Sequence, residues 1–175
     1  YIARQHGIRL ITVASDDQGM RPDALAEAAR RSGGRTAYLV PTLHNPSNVT
    51  MPDARRDALV ETAQAENLTL VEDDIYGFLA DDPPVPLAAR DPERAVYVTS
   101  LSKCVAPGLR VGFVKAPAWL VPRIAQAVAA DTLMVSGLLL EVAMKLIDSG
   151  QAQAAAGAQR REAAARQQIA RRMLP

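Results

Sequence analysis

Short apolar runs alternate with longer stretches of helical pattern, and this alternation constrains the fold more than any other feature of the sequence. The runs are bounded by turn residues, as expected for strands that are buried on both faces. They are Arg9–Val13, Thr36–Val40, Leu68–Glu72, Ala95–Thr99 and Val111–Val114. The helical stretches are Pro22–Arg31, Pro52–Glu66, Ala118–Ala130 and Leu138–Ile147. The pattern predicts an α/β fold with a mostly parallel sheet and helices on both faces.

Composition narrows the classes of protein to which the chain can belong. With 175 residues, 49% of them hydrophobic and 22% charged, it can bury a core without disulfide bonds or metal. The net charge of +1 gives no general attraction to nucleic acid or membranes, and no apolar run reaches the ~18 residues of a membrane span. The single cysteine, Cys104, excludes an intrachain disulfide and a multi-cysteine metal site, and it fits a reducing, cytoplasmic location.

The two ends of the chain predict that it is part of a larger protein. It begins at Tyr1 without a methionine or a signal-peptide pattern, and it stops at Pro175 directly after a helical run. Residues 151–175 are rich in Ala, Gln and Arg, and we expect a long solvated helix there. A nucleic-acid-binding arm is the alternative, which the absence of aromatic residues among the arginines disfavours.

The loops that follow the predicted strands are where chemistry is expected, because ligands of open α/β sheets bind at the carboxyl ends of strands. The first such loop contains Asn45-Pro46. A residue that precedes proline is biased toward an extended conformation, which would direct the Asn45 carboxamide away from the strand end. Asn-Pro is also a common turn, so this loop alone leaves both interpretations open.

The second loop begins with three consecutive carboxylates, Glu72, Asp73 and Asp74, and continues to Tyr76. Burying a carboxylate is costly unless a cation or a hydrogen-bond donor faces it. A solvated acidic turn would avoid this cost and is the simpler interpretation. Tyr76 lies three residues after Asp73, so a turn would bring both side chains toward one place.

The third loop combines hydroxyl groups, an amine and a guanidinium. Ser100 and Ser102 precede Lys103, and Arg110 follows seven residues after the lysine. Hydroxyls and a guanidinium suit a phosphate, and a lysine beside them is either a phosphate contact or a Schiff-base nucleophile. A plain surface lysine is the alternative, although lysine is scarce here, with Lys115 and Lys145 the only others.

Together the three loops offer what a phosphorylated pyridine aldehyde requires. Such a molecule needs an amine for its aldehyde, an anion for its ring nitrogen, donors for its phenolic oxygen and a cup for its phosphate. In that order, the candidates are Lys103, Asp73, Asn45 with Tyr76, and Ser100 and Ser102 with Arg110.

These motifs resemble those of the fold-type I pyridoxal-phosphate (PLP) aminotransferases of class I/II. The matching segments are Asn45-Pro46, Glu72–Leu79 and Ser100–Gly112. They look most like the aminotransferase-like domain of MocR-type regulators in the GntR family, and the 2-aminoadipate-type aminotransferases are similar. The resemblance implies that residues 1–150 are part of the PLP-binding large domain and that residues 151–175 lead toward a small domain outside the chain.

The resemblance also implies a role for each candidate residue. Lys103 would form a Schiff base with PLP and move the proton of the substrate α-carbon. Asp73 would pair with the ring nitrogen, and it is preferred to Asp74 because the family spacing is three residues before the tyrosine. Tyr76 and Asn45 would hold the phenolic oxygen. The phosphate would be bound by Ser100, Ser102 and Arg110.

The activity implied is reversible amino-group transfer between an amino acid and a 2-oxo acid, in a homodimer. The alternative is a PLP- or amino-acid-sensing domain of a MocR/GntR-type regulator with little or no turnover. In that case DNA would be bound only through a domain upstream of this chain. A cofactor-free doubly wound domain is the third hypothesis. The chain has no Gly-rich nucleotide loop, so binding of a dinucleotide or of a nucleotide by a P-loop is not expected.

Overall fold

A four-stranded mixed sheet organises the computed structural model, which describes residues 2–174. The strands are β1 (Ser15–Asp16), β2 (Gly19–Met20), β3 (Thr36–Leu39), β4 (Thr69–Asp73), β5 (Ala95–Ser100) and β6 (Gly112–Lys115). The four-stranded sheet contains β3 to β6 in sequence order, and a separate antiparallel ladder joins β1 and β2. Strands β3, β4 and β5 are parallel, whereas β6 is antiparallel to β5. The predicted α/β fold with a mostly parallel sheet is confirmed.

The predicted strand at Arg9–Val13 is wrong. Residues 9–13 join no ladder, and the nearest paired strands are β1 and β2. The apolar side chains there lack a core to cover them, since Leu10 is 76% exposed. Only Val13 packs against the main hydrophobic cluster. The other four predicted strands are confirmed, and none of their ends is shifted by more than one residue.

The antiparallel direction of β6 follows from a short connection. Only residues 101–111 separate β5 from β6, and their one regular element is the 3-10 turn Pro107–Leu109. A parallel neighbour would need a crossover of a dozen or more residues, usually with a helix. The chain therefore reverses, and the first residues of β6 lie beside the last residue of β5, with Gly112 paired to Ser100.

Seven helices accompany the strands in the described residues. They are α1 (Ile2–Gln5), α2 (Pro22–Ser32), α3 (Asp53–Ala65), α4 (Leu87–Arg90), α5 (Val121–Thr132), α6 (Gly137–Asp148) and α7 (Gln151–Met173). The four helices predicted before residue 150 are present with shifted ends, and α7 is the long helix expected after it. No helix among residues 2–174 is both long enough and apolar enough to cross a membrane.

The main core lies between one face of the sheet and helices α2, α3 and α4. Leu39 of β3 and Leu70 of β4 are buried there with Leu59 of α3 and Leu87 of α4. On the opposite face Tyr38 and Val114 are exposed. The two faces of the sheet therefore differ, since one packs against helices and the other exposes these side chains.

A buried ion pair joins α3 to β4 in this core, one residue before the end of β4. Arg56 of α3 and Glu72 of β4 are both fully buried, with 3.2 Å between Arg56 Nη1 and Glu72 Oε1. The Arg56 guanidinium also donates to the carbonyls of Met51 and Pro41 and to Thr42 Oγ1. Through Arg56, the loop after β3 is thus joined to both α3 and β4.

A second hydrophobic cluster supports the loop between β5 and β6. Leu101, Cys104, Leu109 and Val111 are buried there against Ala143 of α6. Helix α7 joins this side of the molecule by packing Ala152 and Ala156 against the cluster and by one polar contact. Arg160 Nη1 donates to the carbonyl of Phe78, in the 3-10 turn Gly77–Leu79, at 3.2 Å.

Candidate functional site

Three of the predicted site residues, Asp73, Ser100 and Arg110, lie at the same end of the sheet. Asp73 ends β4 and Ser100 ends β5, and Asp73 pairs in register with Val98. Side chains alternate between faces along a strand, so Asp73, Val98 and Ser100 lie on the same face. Because β6 runs antiparallel, Arg110, just before it, is brought to the same edge as Ser100.

Asp73 is held by two donors, one on each carboxylate oxygen. Tyr38 donates its hydroxyl proton to Asp73 Oδ2 at 2.5 Å, and the backbone N–H of Ile75 donates to Oδ1 at 3.2 Å. An ionised carboxylate has about four lone-pair sites, so both oxygens keep room for a further donor. Sequence reasoning missed Tyr38 as a site residue. Its only signal was its position on the face of β3 that also carries Asp73 on β4.

Lys103 and Tyr76 bring the second and third loops together. Lys103 Nζ lies 5.9 Å from the centre of the Tyr76 ring, a distance at which a cation is attracted to an aromatic face. Lys103 is exposed to solvent, whereas Cys104 after it is buried. The amine is therefore presented at the sheet edge by a loop whose next residue is anchored in the core.

Two cations at this edge have no carboxylate partner. Among the ion pairs of residues 2–174, none involves Lys103 or Arg110. Arg110 has a left-handed backbone, with φ of 51°, and stands between the buried residues Leu109 and Val111. The backbone N–H of Ser102 donates to Ser100 Oγ at 3.3 Å. Hydroxyls beside unpaired cations suit an anion such as phosphate.

Asn45 is the candidate that the loop after β3 contributes. It is exposed in the loop after β3, in a cis peptide bond with Pro46, and no hydrogen bond in the described part of the chain joins it to the other candidates. The loop is closed by hydrogen bonds from His44 N to the Val49 carbonyl and from Met51 N to the Pro41 carbonyl. Asn45 is therefore displayed on an ordered loop at the end of β3.

Asp74 faces the opposite side of the sheet. Its Oδ2 accepts a hydrogen bond from the Tyr97 hydroxyl at 2.6 Å, and its buried Oδ1 has no hydrogen-bond partner in the described structure. Loss of hydration on burial raises the pKa of Asp74 above its usual range. Asp73, and not Asp74, is thus the carboxylate on the face of Ser100.

The region between these loops holds no obvious metal site. The described residues contain no group of three or more His, Cys, Asp or Glu side chains placed to hold a metal ion. The site's polar groups are a carboxylate, an amine, a phenol, hydroxyls and a guanidinium. This set suits an organic ligand that carries both a basic ring atom and a phosphate.

The sequence of this chain is similar to those of known proteins. The family model "Aminotransferase class I and II" matches residues 1–174. The HTH-type transcriptional regulator YisV of Bacillus subtilis is 31% identical over 86% of the chain and 32% of its own length. Aromatic-amino-acid aminotransferase 1 of Thermococcus litoralis is 32% identical over 80% of the chain and 36% of its own length.

A solved structure extends the likeness to the backbone. The α-aminoadipate aminotransferase LysN from Thermus thermophilus, crystallised with N-(5'-phosphopyridoxyl)-L-leucine, is 27% identical, with a TM-score of 0.83. The match covers 98% of the chain and 46% of that protein. The chain spans about a third of the length of the curated relatives that it matches.

Proposed function

Because the chain belongs to the class I and II aminotransferases, we propose that it supplies the lysine-bearing part of a site that transfers an amino group between an amino acid and a 2-oxo acid. Pyridoxal 5'-phosphate is the cofactor that this family implies. One observation supports the proposal most directly: Lys103 Nζ lies over the ring of Tyr76, in the loop that begins at Asp73.

The residues at the sheet edge fit the cofactor by their chemistry. Lys103 offers an amine to the aldehyde, and Asp73 offers an anion to the ring nitrogen. Ser100, Ser102 and Arg110 offer hydroxyls and a planar guanidinium to the phosphate. When bound, pyridoxal 5'-phosphate supplies an electron sink for the negative charge that develops on the amino-acid α-carbon.

Each side chain then has a definite task in the transfer. The Lys103 amine would hold the cofactor through its aldehyde and, when free, would accept the proton of the amino-acid α-carbon. The Asp73 carboxylate would favour a protonated ring nitrogen by opposite charge. Tyr76 and Asn45 would donate hydrogen bonds to the phenolic oxygen. In this proposal the full-length protein is a cytoplasmic homodimer that takes an amino acid and a 2-oxo acid as substrates.

A second candidate function is ligand sensing in a transcriptional regulator. It is favoured by YisV, an HTH-type regulator that is 31% identical over most of the chain. Here the same residues would bind the cofactor or its amino-acid adduct, and DNA would be contacted by a domain upstream of this chain. The two functions share the site and differ in turnover.

Absorbance of the full-length protein with PLP tests the Lys103 assignment. The wild-type protein should show the near-visible band of a lysine-bound cofactor, and Lys103→Ala should lose it. Lys115→Ala is the matched control. Lys115 is the last residue of β6 and lies at the end of that strand away from Arg110, so its substitution should leave the band intact. A band that persists in Lys103→Ala contradicts the assignment.

Addition of amino acids then separates the two functions. An aminotransferase should convert the band to that of the aminated cofactor and release a 2-oxo acid, which can be measured directly. A sensor should change its absorbance without releasing a 2-oxo acid, and its affinity for DNA should change with it.

A further inference from the structure

Tyr38 joins the middle of β3 to the carboxylate that ends β4. Its hydroxyl lies 2.5 Å from Asp73 Oδ2. We propose that Tyr38 is a positioning residue, which holds the Asp73 carboxylate in the orientation that the cofactor ring nitrogen requires. This inference rests on the role proposed above for Asp73, and it assigns a function to a residue that no motif pointed to.

The sheet register explains why a tyrosine is suited to this position. Tyr38 pairs with Val71, two residues before Asp73 on β4, so both side chains lie on one face of the sheet. A strand rises by ~3.3 Å per residue, which places Asp73 about 7 Å further along. A phenol extends far enough to cover that distance and ends in a donor. Phenylalanine would cover the distance without donating, and serine would not reach.

The two donors to Asp73 act on different oxygens and come from different elements. Tyr38 donates from the neighbouring strand, while the Ile75 N–H donates from the loop that leads to Tyr76. Donors on both oxygens fix the plane of a carboxylate, whereas a single donor leaves it free to rotate. A fixed plane matters because a charged group stabilises a reaction most when it is already oriented toward the reacting atoms before the reaction begins.

The Tyr38 hydroxyl stays a donor over the whole pH range of an enzyme assay. The ring is largely exposed, but its hydroxyl end lies against Asp73. Loss of hydration there, together with the hydrogen bond to Asp73, raises the pKa of Tyr38 to about 12. The phenol therefore remains protonated, and its hydrogen bond to the carboxylate has the same direction throughout.

The chain provides its own matched control in Tyr97. The Tyr97 hydroxyl also donates to a carboxylate at the end of β4, Asp74 Oδ2, at 2.6 Å, but on the opposite face of the sheet. Tyr38→Phe and Tyr97→Phe thus remove the same atom from two equivalent bonds. Only the first bond involves the face that carries Ser100 and Asp73.

The test uses the full-length protein loaded with PLP that is ¹⁵N-labelled at the ring nitrogen. In Tyr38→Phe we expect the ¹⁵N resonance to move, and kcat to fall about tenfold while KM for the amino acid changes little, as for loss of a hydrogen bond to a charged group. In Tyr97→Phe the resonance should stay where it is in the wild type. An unchanged resonance in folded Tyr38→Phe overturns the proposal.

A second probe covers the case in which Tyr38→Phe does not fold. Incorporation of 3-fluorotyrosine at position 38 keeps the hydroxyl and makes it a stronger donor. The ring-nitrogen resonance should then move in response, and a resonance that does not move overturns the role of Tyr38. Failure of the proposed function is distinct, because the Lys103-dependent absorbance band would then be missing from the wild type.

Discussion

Arg56 and Glu72 form an ion pair, 3.2 Å between Arg56 Nη1 and Glu72 Oε1, in which neither side chain is accessible to solvent. The pair lies directly beneath the strand end that carries Asp73. Removing one partner leaves the other charge buried and uncompensated, so Arg56→Ala should lower the free energy of unfolding by ~3–5 kcal/mol. That loss would be a large part of the ~5–15 kcal/mol of a typical domain.

Denaturant unfolding of the full-length protein measures this effect. Arg31→Ala is the control, because Arg31 pairs with Glu27 at 3.4 Å on the exposed surface of α2. Its loss should change the free energy of unfolding by less than ~1 kcal/mol. Equal effects of the two substitutions would show that the buried pair does not brace the strand ends.

Asp74 should make stability depend on pH in a direction opposite to that of most carboxylates. Burial raises its pKa in the folded state above the ordinary value of 3.8, so the folded protein binds this proton more tightly than the unfolded one. Its contribution to the free energy of unfolding therefore falls as pH rises from 3.8 through the folded-state pKa. Asp74→Asn cannot titrate and should lose this contribution.

A pH series of denaturation curves checks the prediction for Asp74. The stability of Asp74→Asn relative to the wild type should be lowest at acidic pH and should increase toward neutral pH. Parallel pH profiles for the two proteins would mean that Asp74 is not the group that titrates.

Gly77 has no room for a side chain because of its contact with Asp74. A β-carbon built at Gly77 would clash with the carboxylate of Asp74. Gly77→Ala should therefore lower the free energy of unfolding by ~1–3 kcal/mol, as for overpacking of a core. Gly137, at the start of α6, has open space around it, and Gly137→Ala should leave the stability unchanged or slightly higher.

The two glycine variants are compared by thermal unfolding of the full-length protein. If Gly77→Ala melts at the wild-type temperature, the carboxylate of Asp74 has moved aside at little cost. That result would remove the steric reason for a glycine at this position.

Arg110 should bind the cofactor phosphate in a manner that lysine cannot reproduce. A guanidinium presents donors in a planar fork, whereas an ammonium is a compact point charge. Arg110→Lys should raise the Kd for PLP about tenfold, since hydrogen bonds to charged groups contribute ~1.5–3 kcal/mol. Arg123→Lys, on the exposed surface of α5, should bind PLP as the wild type does, as measured by fluorescence titration.

The sheet could be predicted from sequence wherever an apolar run had a helix to cover it. Leu70 of β4 and Ala95 of β5 are buried against the helices, and their runs were predicted correctly. Arg9–Val13 has a similar composition, yet only Val13 among its side chains packs against the core. A local pattern does not reveal whether a distant helix will pack on it.

The residues of the candidate site also differ in whether the sequence alone could reveal them. Asp73 and Lys103 could be proposed because one ends a strand and the other follows one, and the carboxyl ends of parallel strands lie at the same end of a sheet. Tyr38 and Arg56 could not, because each contacts a residue on another element. Tyr38 and Asp73 are 35 residues apart in sequence, and their contact depends on a register between strands that no single segment encodes.

The hydrogen bond from Arg160 to the Phe78 carbonyl joins α7 directly to the loop after Asp73. The helix has 23 residues and is therefore a rod about 35 Å long at 1.5 Å per residue. Arg160 lies near the middle of this helix, and the Phe78 carbonyl that it contacts belongs to the loop that follows Asp73. Residues 161–173 therefore extend about 20 Å beyond the contact with the Phe78 carbonyl, so most of this half of the helix is left to contact solvent or another part of a larger protein.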